Sequence, residues 1–296
     1  MSGIETIGVV GAGTMGRRTA FGCVIYGKKT RLFDTKPAAL EEAVRYVHSL
    51  VEERVRSGRL PEGTVESAMA ALEPTDSIEA CVTGTDFVIE AVHENVELKR
   101  KVFAEIGRFV GPDTLIGSNT SSIPGSSMAD ASGRPEKTFN LNFGTPDHVK
   151  VEVMGHPKTA PSTIDDAVGF LRSVGLVPIV DKKEIQGYAY NRVWRAVKKE
   201  VLYLLDGGYL TPENVDRAWM LDWGTPIGPC GLMDEIGLDV VRDIEMVYYN
   251  ATGDTSDKPP KMLLDMIEQG KLGRKSGEGF YKYPGPAFEK PGWLKG

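Results

Sequence analysis

Near its start the chain reads Gly11-Ala12-Gly13-Thr14-Met15-Gly16, between an apolar run, Ile7-Gly8-Val9-Val10, and a second strand-like run from Lys29 closed by Asp34. Glycine types at these places suit phosphate binding. Gly11 permits a tight strand-to-helix turn, Gly13 lets the backbone approach a pyrophosphate, and Gly16 lets the helix lie close to the sheet. The helix opening at Thr14 and Met15 then aims unpaired amide N–H groups and its positive end at the phosphates. Asp34 follows Gly16 by eighteen residues, near the spacing at which a carboxylate accepts hydrogen bonds from the adenosine ribose. A carboxylate there repels a 2′-phosphate, so the pattern predicts NAD ahead of NADP. Arg17, Arg18 and Lys36 are the nearby charges that bear on tolerance of an extra phosphate.

A second polar group, Ser118-Asn119-Thr120-Ser121-Ser122, lies just past a strand predicted near 114–118. Open α/β sheets bind ligands at that end of their strands. Turn capping is the alternative use of such serines.

The elements that position these groups follow from the rest of the chain. Its 296 residues, 41% hydrophobic and 26% charged, suffice for two domains with a large buried core. A net charge of −6 argues against nucleic acid as partner, because phosphate binding needs a basic face. No apolar run reaches the length of a membrane span, and the first residues lack a basic segment followed by an apolar stretch, so a cytoplasmic location is expected. Cys23, Cys81 and Cys230 are scattered and odd in number, which reads as free buried thiols and no metal site.

Strands are predicted near 5–10, 29–34, 86–92, 114–118, 137–143, 149–154 and 177–181, alternating with helices. That order predicts an α/β fold, a Rossmann-type doubly wound and mostly parallel sheet covered on both faces. Residues 37–73 look like a charged helical hairpin standing out from it, with Arg45, Arg54, Arg56 and Arg59 mixed among Glu41, Glu42, Glu52 and Glu53. After Gly187 the strand signal ends. Tyr190, Val193, Trp194, Val197, Val201, Leu204 and Leu205 recur at helical spacing, with Arg192, Arg195, Lys198 and Lys199 largely off that stripe. Further helices are expected around 212–222, 230–249 and 258–270. The expected domains are therefore 1–184, binding the dinucleotide, and 185–296, an all-helical domain for substrate and dimerisation.

Six segments together resemble the 3-hydroxyacyl-CoA dehydrogenase family and its L-gulonate 3-dehydrogenase and carnitine dehydrogenase relatives. They are GVVGAGTMG at 8–16, DFVIEAVHENVELKRKVF at 86–103, GSNTSSIP at 117–124, GYAYNRV at 187–193, GTPIGPCGLMDEIGLDV at 224–240 and GKLGRKSGEGFYKY at 270–283. The resemblance implies a Rossmann-type domain, a helical C-terminal domain that dimerises into a homodimer, and a substrate cleft between the two. It implies that Ser121 hydrogen-bonds the reacting substrate oxygen and that Asn191 serves the same cleft. Glu90, Glu94, Lys99 and Asn119 fall in stretches that the family places beside the cofactor. The arginines of the hairpin correspond to a region the family turns toward acyl-CoA.

One position departs from the family. Its proton shuttle is a histidine twelve residues before a glutamate that orients it, but this chain has Asn142 only ten residues before Glu152. Alcohol oxidation by hydride transfer needs a base for the hydroxyl proton, a service worth about 10²–10⁴ in rate. An amide can donate a hydrogen bond to developing negative charge, which is electrophilic help without proton transfer. His148, four residues before Glu152, is the nearest replacement base. His48, His93, His156, Tyr188 and Tyr190 are the remaining candidates. The shortened interval is expected to leave position 142 displaced from Glu152.

Three readings follow. The leading one is an NAD-dependent oxidoreductase transferring hydride between NAD(H) and a small β-hydroxy or β-keto acid or acyl-CoA, with Ser121, Asn142 and Asn191 on the reacting oxygen. The second is imine reduction or amine oxidation, in which a protonated nitrogen lessens the need for the histidine. The third is a cofactor-binding protein without turnover.

Overall fold

The computed structural model describes residues 3–143 and 149–296. They form two compact units that meet in sequence between Ala189 and Tyr190.

The first unit contains, in order, β1 (Thr6–Val10), α1 (Thr14–Val24), β2 (Lys29–Phe33), α2 (Pro37–Arg56), α3 (Thr64–Ala71), β3 (Leu72–Pro74) and α4 (Ile78–Val82). There follow β4 (Phe87–Glu90), α5 (Val96–Phe109), β5 (Leu115–Asn119), β6 (Thr138–Phe143), β7 (Lys150–Met154), α6 (Pro161–Ser173) and β8 (Val177–Asp181). The eight strands make one sheet in the order β3-β2-β1-β4-β5-β6-β7-β8. Pairing is parallel throughout except between β6 and β7, which run antiparallel. This is the doubly wound α/β sheet expected from the alternation of elements. The central strands read as unbroken apolar runs because layers cover both faces, and β4 is buried at every position. One core gathers Ile7, Val9, Leu32 and Phe87 on one side of the sheet; a second gathers Val10, Val88, Phe103 and Ile116 on the other.

Two expectations about this unit change. Edge strand β3 went unread, since Leu-Glu-Pro offers a single apolar residue and no alternation. The 37–73 hairpin does not stand out from the sheet. Ala43, Val47 and Val51, spaced four apart on α2, and Ala68 of α3 belong to the same buried cluster as Val9 and Ala20, and both helices pack on α1. Three of its four arginines pair with glutamates: Arg45 with Glu41 at 3.7 Å, Arg54 with Glu53 at 3.3 Å and Arg59 with Glu53 at 3.0 Å. Arg45 and Glu41, four apart with side chains 69% and 71% exposed, lie on a solvated helix face.

The second unit holds most of α7 (Ala189–Asp206), then α8 (Pro212–Trp223), α9 (Pro229–Ile236), α10 (Leu238–Thr252) and α11 (Lys261–Glu268). The single helix expected at 230–249 is two. Gly237, at φ +101°, breaks the run, and a Cβ there would stand 2.9 Å from the Asp239 carboxylate. Asp216 and Asp234 are buried and each accepts two backbone N–H groups, from Cys230 and Gly231 and from Phe280 and Tyr281. These bonds fasten the Gly-rich tail to the helices. On α7 the inward side includes Lys198, which the apolar stripe had left outside. It is 1% exposed, 3.8 Å from Glu245, which also takes Arg195 at 2.8 Å. A buried charge needs such a partner, so Lys198 follows Glu245 inward. All three cysteines are free and buried.

Candidate active site

The first unit builds one cavity of about 690 Å³ along the carboxyl ends of its strands, within the size range of small-molecule sites. Gly11, Gly13, Thr14, Met15, Asp34, Glu94, Asn119, Ser121 and Asn142 all line it. Nine of the residues singled out from the sequence therefore share one space.

The glycine turn does what its residue types require. Gly11 has φ +108°, and a Cβ on it would lie 2.6 Å from the Ala91 carbonyl. A Cβ on Gly16 would lie 1.7 Å from the Gly11 carbonyl, so α1 can sit this close only as glycine. A Cβ on Gly13 would meet nothing within 4 Å, which leaves the backbone at the start of α1 open to a ligand. No side chain caps that helix and no acidic residue stands in its first turn. Its N–H groups and positive end are thus offered to an anion.

Asp34 stands at the end of β2 with both oxygens fixed, Oδ2 accepting from Ala12 N at 2.9 Å and Oδ1 from Lys36 N at 2.9 Å. A carboxylate keeps further lone pairs for ribose hydroxyls and repels a 2′-phosphate. Arg17 is turned to other work, pairing with Glu42 at 2.7 Å and lying over the Tyr46 ring at 4.4 Å. These residues fit NAD.

The loop after β5 is held by Glu94. Its Oε1 accepts from Thr120 Oγ1 at 2.7 Å, Ser121 N at 3.0 Å, Ser122 N at 2.9 Å and Ser122 Oγ at 2.9 Å. Burial alone would raise this carboxyl, but the bonds from Thr120 and Ser122 and the Lys99 ammonium outweigh it and hold it below its ordinary range. Ser121, exposed on the cavity wall, therefore has a fixed backbone beneath its hydroxyl.

Lys99 was expected beside the cofactor and stands instead behind the wall. Its side chain is 0% exposed; Nζ bonds Glu90 Oε1 at 2.8 Å and the Asn119 carbonyl at 3.1 Å, while Ser118 Oγ donates to Glu90 Oε2 at 2.6 Å. Burial raises the Glu90 carboxyl and the Lys99 charge opposes it. This cluster ties the ends of β4 and β5 together, so Lys99 holds Asn119 from behind the cavity wall.

On β6 and β7 the geometry differs from expectation. Asn142 and Glu152 are directly opposed in the antiparallel register, and Asn142 Nδ2 donates to Glu152 Oε2 at 3.3 Å. The ten-residue interval thus leaves Asn142 and Glu152 paired across the two strands. Glu152 is fully buried, and Lys150 Nζ bonds the same Oε2 at 2.9 Å. Sequence reasoning passed over Lys150. The signal was there, since residues two apart on a strand share a face and Lys-x-Glu puts ammonium beside carboxylate.

His148 lies outside the described residues. Asn191 belongs to the second unit, half-buried in the first turns of α7. Tyr188 is buried at φ +60° with its hydroxyl donating to the Thr120 carbonyl at 2.8 Å, and burial together with the Glu94 charge pushes its phenol far above the ordinary value. It braces the serine loop and is no acid at neutral pH. His156 is buried and shares a 2.8 Å hydrogen bond with Thr138 Oγ1, His48 lies 3.6 Å from Glu52 on the outer side of α2, and His93 is exposed at the cavity wall.

Comparison with known proteins places this geometry. Residues 6–185 match the NAD binding domain of 3-hydroxyacyl-CoA dehydrogenase and residues 187–283 its C-terminal domain. The chain is 33% identical over 287 residues to 5-formyl-3-hydroxy-2-methylpyridine 4-carboxylate 5-dehydrogenase of Mesorhizobium japonicum, covering 95% of this chain and 91% of the relative. It is 31% identical over 282 residues to a probable 3-hydroxybutyryl-CoA dehydrogenase of Bacillus subtilis, covering 95% and 98%. The crystal structure of (S)-3-hydroxybutyryl-CoA dehydrogenase from Ralstonia eutropha superposes with a TM-score of 0.87 at 32% identity, covering 95% of this chain and 99% of that one. With both domains matched in order and the glycine turn, Asp34 and the serine loop facing one cavity, the chain belongs to the 3-hydroxyacyl-CoA dehydrogenase family and is an NAD-dependent oxidoreductase.

Proposed function

We propose that the protein interconverts a small β-hydroxy acid, or its acyl-CoA thioester, with the β-keto form. The observation that carries this is the shared cavity, where a dinucleotide turn at one end meets Ser121 and Asn142 at the other. Bound NAD(H) supplies the hydride acceptor or donor. Ser121, on a backbone clamped by Glu94, and the Asn142 amide, steadied by Glu152, donate hydrogen bonds to the substrate oxygen as negative charge develops there. Fixed donors of this kind stabilise such charge without reorganising at the moment of reaction. Arg45, Arg54 and Arg59 each lie near a glutamate, which favours a compact β-keto acid at least as much as a nucleotide-bearing thioester.

The reading extends to a cytoplasmic homodimer. No described helix is long and apolar enough to cross a membrane, and the three thiols are buried and unpaired.

The test is NADH consumption with acetoacetyl-CoA, free β-keto acids and mixtures of keto acid with amine. Oxidation of NADH by a β-keto compound alone is expected. Turnover confined to the amine mixtures would replace this reading with imine reduction.

A further inference from the structure

We propose that Lys150 moves the proton in this reaction, at the place left by the absent histidine. The inference rests on the reading above, hydride transfer at a carbonyl or hydroxyl carbon. Two donors meet at one carboxylate oxygen, Lys150 Nζ at 2.9 Å and Asn142 Nδ2 at 3.3 Å from Glu152 Oε2. Asn142 lines the cavity, so the ammonium is fixed one oxygen away from a wall residue. The strand order gives a second argument. β7 runs antiparallel to β6, with Phe143 opposite Val151, so Lys150 stands at the carboxyl end of β6. That end of the sheet carries Asn119 and Asn142 as well, and is where α/β sheets bind ligands.

The chemistry separates the two donors. An amide has no proton to release, whereas an ammonium does. Glu152, at 0% exposure, has no water to stabilise its charge and holds the ammonium at a set place. Among the described residues, Asp181 on β8 is a further charge that acts on both Glu152 and Lys150. The lysine side chain is 29% exposed, so solvent can reload it after each cycle. In reduction, hydride from the dihydronicotinamide adds to the carbonyl carbon and the C=O π pair moves onto oxygen. The Lys150 N–H bond breaks as the new O–H bond forms, and the amine regains a proton from water. Oxidation runs the same bonds backward, with the amine taking the hydroxyl proton.

Lys150→Met is expected to lower kcat/KM for reduction of acetoacetyl-CoA, or of acetoacetate if the thioester is not reduced, by about 10²–10⁴. NADH affinity by fluorescence titration should stay unchanged. Lys150→Arg keeps the positive charge on Glu152, but a guanidinium does not release its proton, so the same loss is expected. A Lys150→Arg protein that retains activity overturns the proposal, because charge alone then suffices. So does a larger loss in His148→Ala than in Lys150→Met. Asn142→His in the Lys150→Met background should recover at least about tenfold, since it sets an imidazole opposite Glu152. No recovery in a double variant with unchanged thermal unfolding counts against the proposal.

Reductive methylation read by mass spectrometry follows the contact without turnover. NAD⁺ with acetoacetate or acetoacetyl-CoA should shield Lys150 relative to Lys261, whose side chain is 82% exposed. Equal labelling with and without these ligands overturns the assignment. An unmutated protein that binds NADH yet reduces none of the β-keto compounds ends the functional reading and the role of Lys150 together, whereas an active protein indifferent to Lys150 ends the proposal alone.

Discussion

A carboxylate whose two oxygens each take a backbone N–H is a fixed charge, and Asp34 is one, held by Ala12 and Lys36 at 2.9 Å each. Hydrogen bonds to a charged group contribute about 1.5–3 kcal/mol, so Asp34→Ala is expected to weaken NADH binding roughly tenfold to a hundredfold. NADPH, which the carboxylate repels, should gain relative to NADH. Fluorescence titration of both nucleotides checks this; an unmutated protein that binds them equally would remove Asp34 as the selector. Residue identities at this end were legible in the sequence because glycine and aspartate have narrow reasons to stand where they do. The other end was not. Counting residues between Asn142 and Glu152 gave a shortened interval but could not tell a displaced pair from a trimmed connection, since register is set by strand pairing that sequence distance does not record. Lys150 escaped notice for a related reason, as its meaning depends on Glu152 being buried.

At the scale of elements, the cavity wall depends on a join between the segment leading from β4 into α5 and the loop leaving β5. Glu94 makes that join by accepting from Thr120, Ser121 and Ser122. Its carboxyl is held below the ordinary range, so the folded protein binds fewer protons there than the unfolded chain. Stability from this group is present above the unfolded value of about 4.3 and is lost as pH falls through the folded one. Melting temperature should drop across that acid window in the unmutated protein. Glu94→Gln should flatten its own share of the slope while lowering the melting temperature near pH 7, and identical slopes in the two proteins would dissociate the join from the carboxylate's charge. Strands with both faces buried, such as β1 and β4, were readable from apolar runs alone. The helical hairpin was read correctly as helices and wrongly as projecting, because three small or branched residues four apart on α2 are easily lost among its charges.

For the whole molecule, several large apolar residues of the second unit stand outside its core. Val193 is 61% exposed, Leu221 59% and Trp223 70%, while Val201 and Leu202 on α7 are buried in the unit's own core. Exposed Trp223 lies beside the partly buried Trp219 on α8, ring centroids 6.0 Å apart. Scattered apolar residues need no partner, but clustered aromatics on a surface mark an interface. Val193 on α7 and Leu221 and Trp223 on α8 thus stand outside the unit's own core. We expect a homodimer formed through this unit, with light scattering at micromolar concentration giving twice the chain mass of 32.3 kDa. Trp223→Glu should shift the mass toward the single chain while the circular dichroism spectrum and NADH titration stay unchanged, because the nucleotide site is built within the first unit. A single-chain mass for the unmutated protein would leave these residues without their partner copy and the dimer reading without support.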